Sequence, residues 1–307
     1  MPLSQLPRRG SWVYFCRQRG AILSLPLSPL ITEYYALLDS RLSIAFVKRL
    51  FIRGRWVCEQ SLRKLSREGE SRYNRSVRVK RLHGWQLSIP EALALQRQLA
   101  AQVTITAEVV RPRFIAGVDL AVGRGQTEAT GAVVVLSYPE LKLVETEVVQ
   151  GRLDFPYIPG LLSFRESPLT LAAFEKLNIT PDVVLVDGQG LAHPRRFGLA
   201  CHLGLFLDTP TIGCAKSLLC GRHEVPGVEP GSYAEIVDKG ETIGVALRTK
   251  LGVKPVYVSI GHKLDLKTAV YWVRACCRGY RLPEPLRLAH LAAGGNLKPE
   301  KEVTFRR

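Results

Sequence analysis

The sequence lacks any apolar run long enough to cross a membrane. The longest candidates, near 21–30 and 44–52, are short and are interrupted by proline or by Lys48 and Arg49, whereas a transmembrane helix needs roughly 20 consecutive apolar residues. With 46% hydrophobic and 23% charged residues in a chain of 307, the composition is that of a soluble globular protein with enough material for a sizeable core. We therefore expect no membrane partner.

The sequence also lacks cysteines at the spacing of a Cys-x-x-Cys pair. The chain has seven cysteines, an odd number, and none forms a Cys-x-x-Cys pair. Most lie in apolar surroundings, which indicates buried thiols in a reducing compartment and favours a cytoplasmic protein. Cys214, Cys220 and His223 resemble part of a zinc site, but a fourth ligand at suitable spacing is missing, so zinc is not favoured.

Acidic residues are scarce in the first part of the chain. Residues 1–83 hold 17 Lys and Arg against five Asp and Glu, a net charge of +12, while residues 84–307 hold 26 against 22, a net of +4. The total of +16 is therefore weak evidence about the main domain, although a mildly basic domain still suits a phosphate-rich partner. We predict a poorly ordered N-terminal extension over 1–83, with a nucleic-acid-binding arm and a targeting segment as alternatives, and a main domain over 84–307.

The main domain alternates between strand and helix patterns. Ser88-Ile-Pro-Glu91 has the form of a capping box and predicts a helix through Leu99. Three strand-like runs follow over 114–119, 130–137 and 141–150, and further strands are predicted over 183–187, 211–215, 234–238, 242–248 and 256–260. Helices are predicted over 167–177, 197–207, 265–277 and 284–293. Three strands followed by this alternation predict an α/β mixed sheet flanked by helices.

Two of the predicted buried strands end in a carboxylate. Phe114-Ile-Ala-Gly-Val-Asp119 and Val183-Val-Leu-Val-Asp187 are apolar runs rich in β-branched residues, and each places an Asp at its predicted exit. An Asp at that position reaches a cleft without being buried, and two side by side suit Mg²⁺, which takes one or two carboxylates and substrate phosphate. Either Asp alone is equally well explained as a residue that opens a turn. The pair favours a metal site.

The segments between and after these strands carry further candidates. Asp154-Phe-Pro-Tyr157-Ile-Pro-Gly160 is a stiff, proline-bounded loop that could push an aromatic ring between stacked bases, although a tyrosine packed on the surface is the simpler interpretation. The Gly-rich turn after Asp187 suits close approach to phosphate, but it is not a dinucleotide fingerprint, because His193 stands where the third glycine belongs. Lys216 follows another apolar run.

Taken in order, these motifs resemble the endonuclease V family over about residues 85–293. The matching segments are Val118-Asp119, Pro156-Tyr-Ile-Pro-Gly160, Phe164-Arg-Glu166, Asp187-Gly-Gln-Gly190, Ala192-His-Pro-Arg195, Ala215-Lys-Ser217 and Arg281-Leu-Pro-Glu-Pro285 with His290. The resemblance implies a ribonuclease-H-like fold and a deoxyinosine-directed DNA repair nuclease that needs Mg²⁺, for which Mn²⁺ can substitute. Such an enzyme hydrolyses the second phosphodiester bond 3′ to the altered base and leaves 3′-hydroxyl and 5′-phosphate ends.

The resemblance also implies a role for each matching residue. Asp119 and Asp187 match the metal-binding acids, Glu166 the third catalytic acid, Lys216 the lysine near the cleaved phosphate, and His290 a residue that supports the metal or its water. Tyr157 matches the tyrosine that acts as a wedge between bases. The backbone from Gly160 to Leu162 matches the segment that reads the flipped base, and His193 matches a histidine of the substrate site. We expect a monomer. The role of His262 stays open.

Two other functions remain as alternatives. A ribonuclease-H-like protein that binds altered nucleic acid without cutting it would lack one of the metal-site acids, and all of them are present in this sequence. An enzyme that prefers inosine-containing RNA, or single-stranded substrate, would differ in its contacts to the 2′-hydroxyl, which the sequence does not reveal.

Overall fold

The computed structural model describes residues 77–106 and 111–297 in full and, before them, only the backbone of four short strands. These strands form two antiparallel hairpins, β1 (Val13–Gln18) with β2 (Ala21–Pro26) and β3 (Arg49–Ile52) with β4 (Arg55–Cys58), in a compact unit over residues 1–69. The remaining residues before Val77 lie outside the described part of the chain. The predicted lack of order over 1–83 stays a prediction.

The second unit, residues 70–307, is built on an eight-stranded mixed sheet. Its strands are β5 (Phe114–Val122), β6 (Glu128–Ser137), β7 (Leu143–Arg152), β8 (Val183–Val186), β9 (Thr211–Ala215), β10 (Tyr233–Asp238), β11 (Glu241–Leu247) and β12 (Val256–His262). They lie in the order β10-β11-β12-β9-β8-β5-β6-β7. Strands β5, β8 and β9 are parallel neighbours, and all other neighbours in this sheet are antiparallel. The predicted mixed sheet is confirmed.

In the described part of this unit, five helices pack beside the sheet or its loops. They are α1 (Ile89–Ala100), α2 (Leu162–Phe174), α3 (Leu199–Leu207), α4 (Leu266–Ala275) and α5 (Glu284–Ala293). Alternate residues of β5 enter different cores: Ile115 packs with α4 and α5, and Ala116 packs with α2 and α3. Burying both faces of a sheet requires such helical layers. Within the described residues, no helix is long and apolar enough to span a membrane.

The predicted capping box of α1 is present. The Ser88 hydroxyl accepts a hydrogen bond from the Glu91 amide, and the Glu91 carboxylate accepts one from the Ser88 amide at 2.7 Å. The two bonds satisfy two helix N-terminal donors, which fixes the start of α1.

Residues that precede α1 also pack on the sheet layers. Val77 is buried with side chains of α2 and α3. The His83 Nδ1–H donates to the Gly84 carbonyl at 2.7 Å, so its Nε2 is the acceptor in the 2.8 Å hydrogen bond from His202 Nε2. The predicted domain boundary before Gly84 falls inside this packed segment.

A glycine in β5 lets α5 lie directly on the strand. A Cβ atom at Gly117 would lie 2.1 Å from the carbonyl oxygen of Pro285. Only a residue without a side chain therefore permits this approach. The contact sets the position at which α5 begins, and α5 carries His290 in its last turn.

Candidate active site

Asp119 and Asp187 come together because β5 and β8 are parallel neighbours. Val118 pairs with Val186, and the Asp187 amide donates to the Val118 carbonyl at 3.0 Å. Both aspartates follow the strand alternation onto the face covered by α5, and each side chain is only 9% exposed. The pairing of the two acids that the sequence indicated is therefore present in the structure.

The predicted position of Asp119 within its strand is wrong. The strand does not end there but continues to Val122. The reason is that β6 pairs with β5 along its whole length, up to Val122 opposite Ala129, while the parallel partner β8 stops at Val186. Asp119 therefore lies where one of its two neighbouring strands ends, which opens the side chain to a cleft.

His290 and Lys216 complete a compact group with the two aspartates. His290 Nδ1 lies 2.6 Å from Asp119 Oδ2, and Lys216 Nζ lies 3.5 Å from His290 Nδ1. The Lys216 ammonium contacts Oδ2 of Asp187 directly and lies 3.8 Å from Oδ2 of Asp119. Lys216 comes directly after β9, the next parallel strand, so three adjacent strands and α5 supply the four side chains.

Three of these side chains offer ligand atoms for one divalent cation. One atom each from Asp119, Asp187 and His290 lies within 4.8 Å of the others, and this is the one such group in the parts of the chain that the structure describes. The two carboxylates are hard oxygen donors of the kind that bind Mg²⁺ or Mn²⁺, and His290 adds a nitrogen donor. Cys214, Cys220 and His223 form no such group within the described residues.

The acids of the site repel one another. Burial, followed by the charge of Asp119, raises the pKa of Asp187 to about 6, against the opposing effect of Lys216. Burial raises the pKa of Glu166 to about 8, with further contributions from Asp119 and Asp187. For Lys216, burial lowers the pKa, but its hydrogen bond and ion pair with Asp187 outweigh burial and raise it overall. The site is thus short of positive charge when no cation is bound.

Glu166 lies inside α2 and not at the predicted helix start. The sequence predicts a start at Ser167, with Pro168 in the first turn, but α2 begins at Leu162 and contains Pro168. Phe164 is almost fully buried, and its packing favours the additional turn over the cost of an internal proline. The helix brings Glu166 close enough to the two aspartates for their charges to affect its pKa.

The neighbouring Arg165 anchors this end of α2. Its guanidinium donates to the Phe155 carbonyl at 2.5 Å and to the Gln126 carbonyl. Sequence reasoning treated this arginine only as part of the Phe-Arg-Glu motif. The structure shows that it ties α2 to the loop before it and to the β5–β6 turn.

The proline-bounded loop presents Tyr157 to solvent. This side chain is 68% exposed, whereas Phe155 and Leu161 on either side of it are buried with Ala92 and Phe164. The loop is therefore anchored at both ends and exposed at its tip. Leu162, at the start of α2, is 36% exposed.

The Gly160 carbonyl is the main anchor of this loop. Gly160 has a positive φ of 80°, and its oxygen accepts hydrogen bonds from Gln96 Nε2 at 2.9 Å, Arg195 Nη2 at 2.7 Å and His193 Nε2 at 3.1 Å. Sequence reasoning did not single out Gln96, and Arg195 entered only as part of the Ala192-His-Pro-Arg195 motif. A signal was present for Gln96, because it is the polar residue on the buried stripe formed by Ala92 and Leu99 of α1.

His193 is bonded within the protein at both ring nitrogens. Its Nε2–H donates to the Gly160 carbonyl, and its Nδ1 accepts from the Arg195 amide at 3.1 Å. Burial, followed by the charge of Arg195, lowers the pKa of His193 to about 4, so the ring is neutral. The structure places it behind the loop, and a direct contact with substrate stays a prediction.

His262 lies away from this site. Its Nδ1 accepts from the Thr104 amide at 3.1 Å, and burial, followed by the charge of Lys263, lowers its pKa to about 4. The ring therefore holds the segment after α1 at the end of β12.

Comparisons with known proteins agree on one family. The family model described as Endonuclease V matches residues 97–291. The endonuclease V of Dehalococcoides mccartyi is 51% identical over 218 residues, which cover 71% of this chain and 98% of that protein. Among solved structures, the endonuclease V of Bacillus subtilis has a TM-score of 0.68 at 32% identity and covers 71% of this chain and 96% of that one.

A further solved structure contains nucleic acid. The endonuclease V of Ciona intestinalis, in complex with a 24mer DNA containing an inosine followed by a ribo-adenosine, has a TM-score of 0.58 at 31% identity and covers 68% of this chain and 97% of that one. These similarities confirm the predicted ribonuclease-H-like, helix-flanked mixed sheet. The chain belongs to the endonuclease V family.

Proposed function

We propose that this protein is a DNA repair endonuclease that recognises deoxyinosine and hydrolyses the second phosphodiester bond on its 3′ side, leaving 3′-hydroxyl and 5′-phosphate ends. The observation that carries the proposal is the convergence of Asp119, Asp187, His290 and Lys216 in a member of a nuclease family. The inosine-containing DNA bound by the Ciona intestinalis relative supports the choice of substrate.

Mg²⁺ is the proposed cofactor, with Mn²⁺ able to replace it, and Asp119, Asp187 and His290 are the residues that would hold it. When bound, such a cation polarises the phosphate and makes a water molecule more acidic. Asp119 and Asp187 supply the negative charge, and His290 supplies a nitrogen ligand or orients water.

The remaining catalytic side chains have separate proposed roles. Lys216 offsets the negative charge that develops on the phosphate oxygens in the transition state, because its ammonium lies in the same group. Glu166, whose pKa lies near 8 without a cation, is placed to exchange a proton with water at neutral pH.

Base recognition is assigned to the loop between β7 and α2. Tyr157 fills the gap left by the extruded base, and the backbone of Gly160–Leu162 contacts the flipped base. Extruding a base costs a few kcal/mol, least at a mismatch, which favours deaminated sites. His193 supports this region through the Gly160 carbonyl.

The cysteines bear on the compartment in which the protein works. Five described cysteines are unpaired, three of them buried, which fits a reducing compartment and supports a cytoplasmic enzyme. We propose that it acts as a monomer, and that residues 1–83 add non-specific affinity for nucleic acid through their positive charge.

Cleavage assays on matched oligonucleotides test the proposal. With Mg²⁺, the wild type should cut the inosine-containing strand of duplex DNA at the second phosphodiester bond 3′ to the inosine. The products should carry 3′-hydroxyl and 5′-phosphate ends. Asp119→Ala and Asp187→Ala should abolish nicking but retain binding, because they remove metal ligands and not the loop. Glu140→Ala replaces an exposed acid in the turn between β6 and β7 and is the matched control.

The alternatives make different predictions in the same experiment. A protein that only binds would give no nick with any metal, and turnover in EDTA would contradict the metal role. Stronger cutting of inosine-containing RNA or of single strands than of duplex DNA would assign the enzyme to those substrates instead. An oligonucleotide with a single ribonucleotide after the inosine would locate the 2′-hydroxyl responsible.

A further inference from the structure

Gln96 is a buried amide with its hydrogen-bonding groups turned to three different partners. Its side chain lies on α1 and is fully buried. Nε2 donates to the Gly160 carbonyl and to the Phe197 carbonyl, both at 2.9 Å, and Oε1 accepts from Arg195 Nε. Two carbonyls on one side and a guanidinium on the other allow only one orientation of the amide.

The three partners of Gln96 belong to the parts of the chain assigned to substrate. Gly160 ends the Tyr157 loop, Arg195 follows the turn after β8, and Phe197 precedes α3. Gln96 therefore connects the loop that carries the wedge to the segment that follows the metal-site strand. No other residue described in the structure donates to both the Gly160 and Phe197 carbonyls.

The Gly160 carbonyl depends on this connection. Gly160 adopts a positive φ, and a Cβ there would meet Arg195 Nη2 at 2.5 Å, so the loop has little space for an alternative path. The guanidinium of Arg195 donates to the same carbonyl and is itself held by Gln96. Loss of Gln96 would remove one donor to Gly160 directly and release a second.

We infer that Gln96 is a positioning residue for base recognition: it fixes the loop from Tyr157 to Leu162 at the height and angle needed to receive an extruded base. The inference rests on the proposed function. It goes beyond the family's motifs, because Gln96 lies on a helix that none of those motifs includes. Gln96 touches no reacting atom and acts through Gly160 and Arg195.

Two substitutions at Gln96 separate positioning from folding. Gln96→Met keeps the length and shape of the side chain and removes all three hydrogen bonds. Gln96→Glu keeps the acceptor for Arg195 and removes both donors, so it serves if the methionine variant does not fold. Gln98→Met, at an exposed glutamine on the same helix, controls for the change in α1 itself.

A second control loses a buried hydrogen bond elsewhere. Thr211→Val removes the bond from the fully buried Thr211 hydroxyl to the Ala200 carbonyl, 2.8 Å long, at the start of β9. This variant should lose thermal stability as the Gln96 variants do, while the recognition loop keeps its anchors. It shows what destabilisation alone does to activity.

Initial rates with Mg²⁺, measured well below each melting temperature on duplexes with inosine or adenine at one position, give the readout. The Gln96 variants should raise KM for the inosine duplex and lower the inosine-to-adenine preference by about tenfold, with a smaller change in kcat. The reason is that Gln96→Glu loses two hydrogen bonds of ordinary strength and Gln96→Met loses three. Gln98→Met and Thr211→Val should keep the wild-type preference.

Each other outcome overturns the inference in a recognisable way. Folded Gln96 variants with wild-type KM and preference would show that the loop is set without this residue. An equal loss of preference in Thr211→Val would reduce Gln96 to a contributor to stability, as would failure of both Gln96 variants to fold. A wild type without preference for inosine would instead overturn the proposed function itself.

Discussion

Glu166→Gln should make the metal-free protein more stable while it abolishes cleavage. Glu166 is largely buried near two aspartates, and its pKa rises from 4.5 to about 8. Between pH 4.5 and pH 8, the Glu166 carboxyl is ionised in the unfolded chain but stays protonated in the folded protein. Folding must therefore take up a proton from a solution in which the carboxyl would otherwise be ionised, which lowers the stability. A glutamine has no proton to lose, so the substitution removes this cost of folding.

The size of the effect follows from the width of the pH window. Each unit of pH above 4.5 costs the wild type about 1.4 kcal/mol until pH approaches 8. The advantage of the glutamine variant should therefore grow from about 1 kcal/mol at pH 5 to about 3 kcal/mol at pH 7. The sign is fixed, because a carboxyl group with a raised folded-state pKa contributes stability that is lost as pH rises.

Urea unfolding in EDTA, followed by tryptophan fluorescence at several pH values, measures this difference. Glu140→Gln, at an exposed position, serves as the matched control and should show no comparable trend. Adding millimolar Mg²⁺ should stabilise the wild type and narrow the gap, since a bound cation offsets the repulsion among the acids. A variant that is no more stable than the wild type at pH 7, or whose advantage is the same at pH 5, would refute the reasoning.

Three further predictions follow from other parts of the structure. Tyr157→Ala should lower the inosine-to-adenine cleavage ratio by the loss of roughly 1–3 kcal/mol of stacking without changing the melting temperature, because the ring is exposed; a stable variant with full preference would leave the loop without that role. A chain that starts at Glu70 should keep specific nicking but lose non-specific affinity and salt dependence, and a folded but inactive product would contradict this. His193→Gln should reduce the loss of stability as the pH falls from 6.5 to 4. A histidine whose folded-state pKa is lowered to about 4 contributes stability that is lost over this range, because only the unfolded chain takes up the proton. Urea unfolding of the variant and the wild type at several pH values in this range measures the difference.

Local patterns were sufficient to predict most elements of the main domain. Helix α5 spans the predicted residues, and Ser88 and Glu91 form the predicted cap. The predicted strands 234–238 and 242–248 are present as β10 and β11, which form an antiparallel hairpin around Lys239 and Gly240. In these segments the residue types that set the conformation are neighbours in sequence, so the pattern carries the necessary information.

The sequence was less informative where distant residues decide the structure. The extension of β5 beyond Asp119 depends on pairing with β6, and the early start of α2 depends on burial of Phe164. Gln96 meets Gly160 and Phe197 across 64 and 101 residues of chain, a contact that no local spacing encodes. The pairing of Asp119 with Asp187 was predictable only because parallel strands bring their ends together.

The absence of a side chain at Gly117 has a mechanical consequence for the active site. Helix α5 rests on that glycine through Pro285, and His290 lies about 7.5 Å farther along the helix axis at a rise of about 1.5 Å per residue. The contact therefore behaves as the pivot of a lever, and a tilt of about 8° would displace His290 by about 1 Å, enough to lose its 2.6 Å approach to Asp119. A residue without a side chain thus determines how precisely His290 is held beside Asp119, and a methyl group added at position 117 would displace the far end of α5.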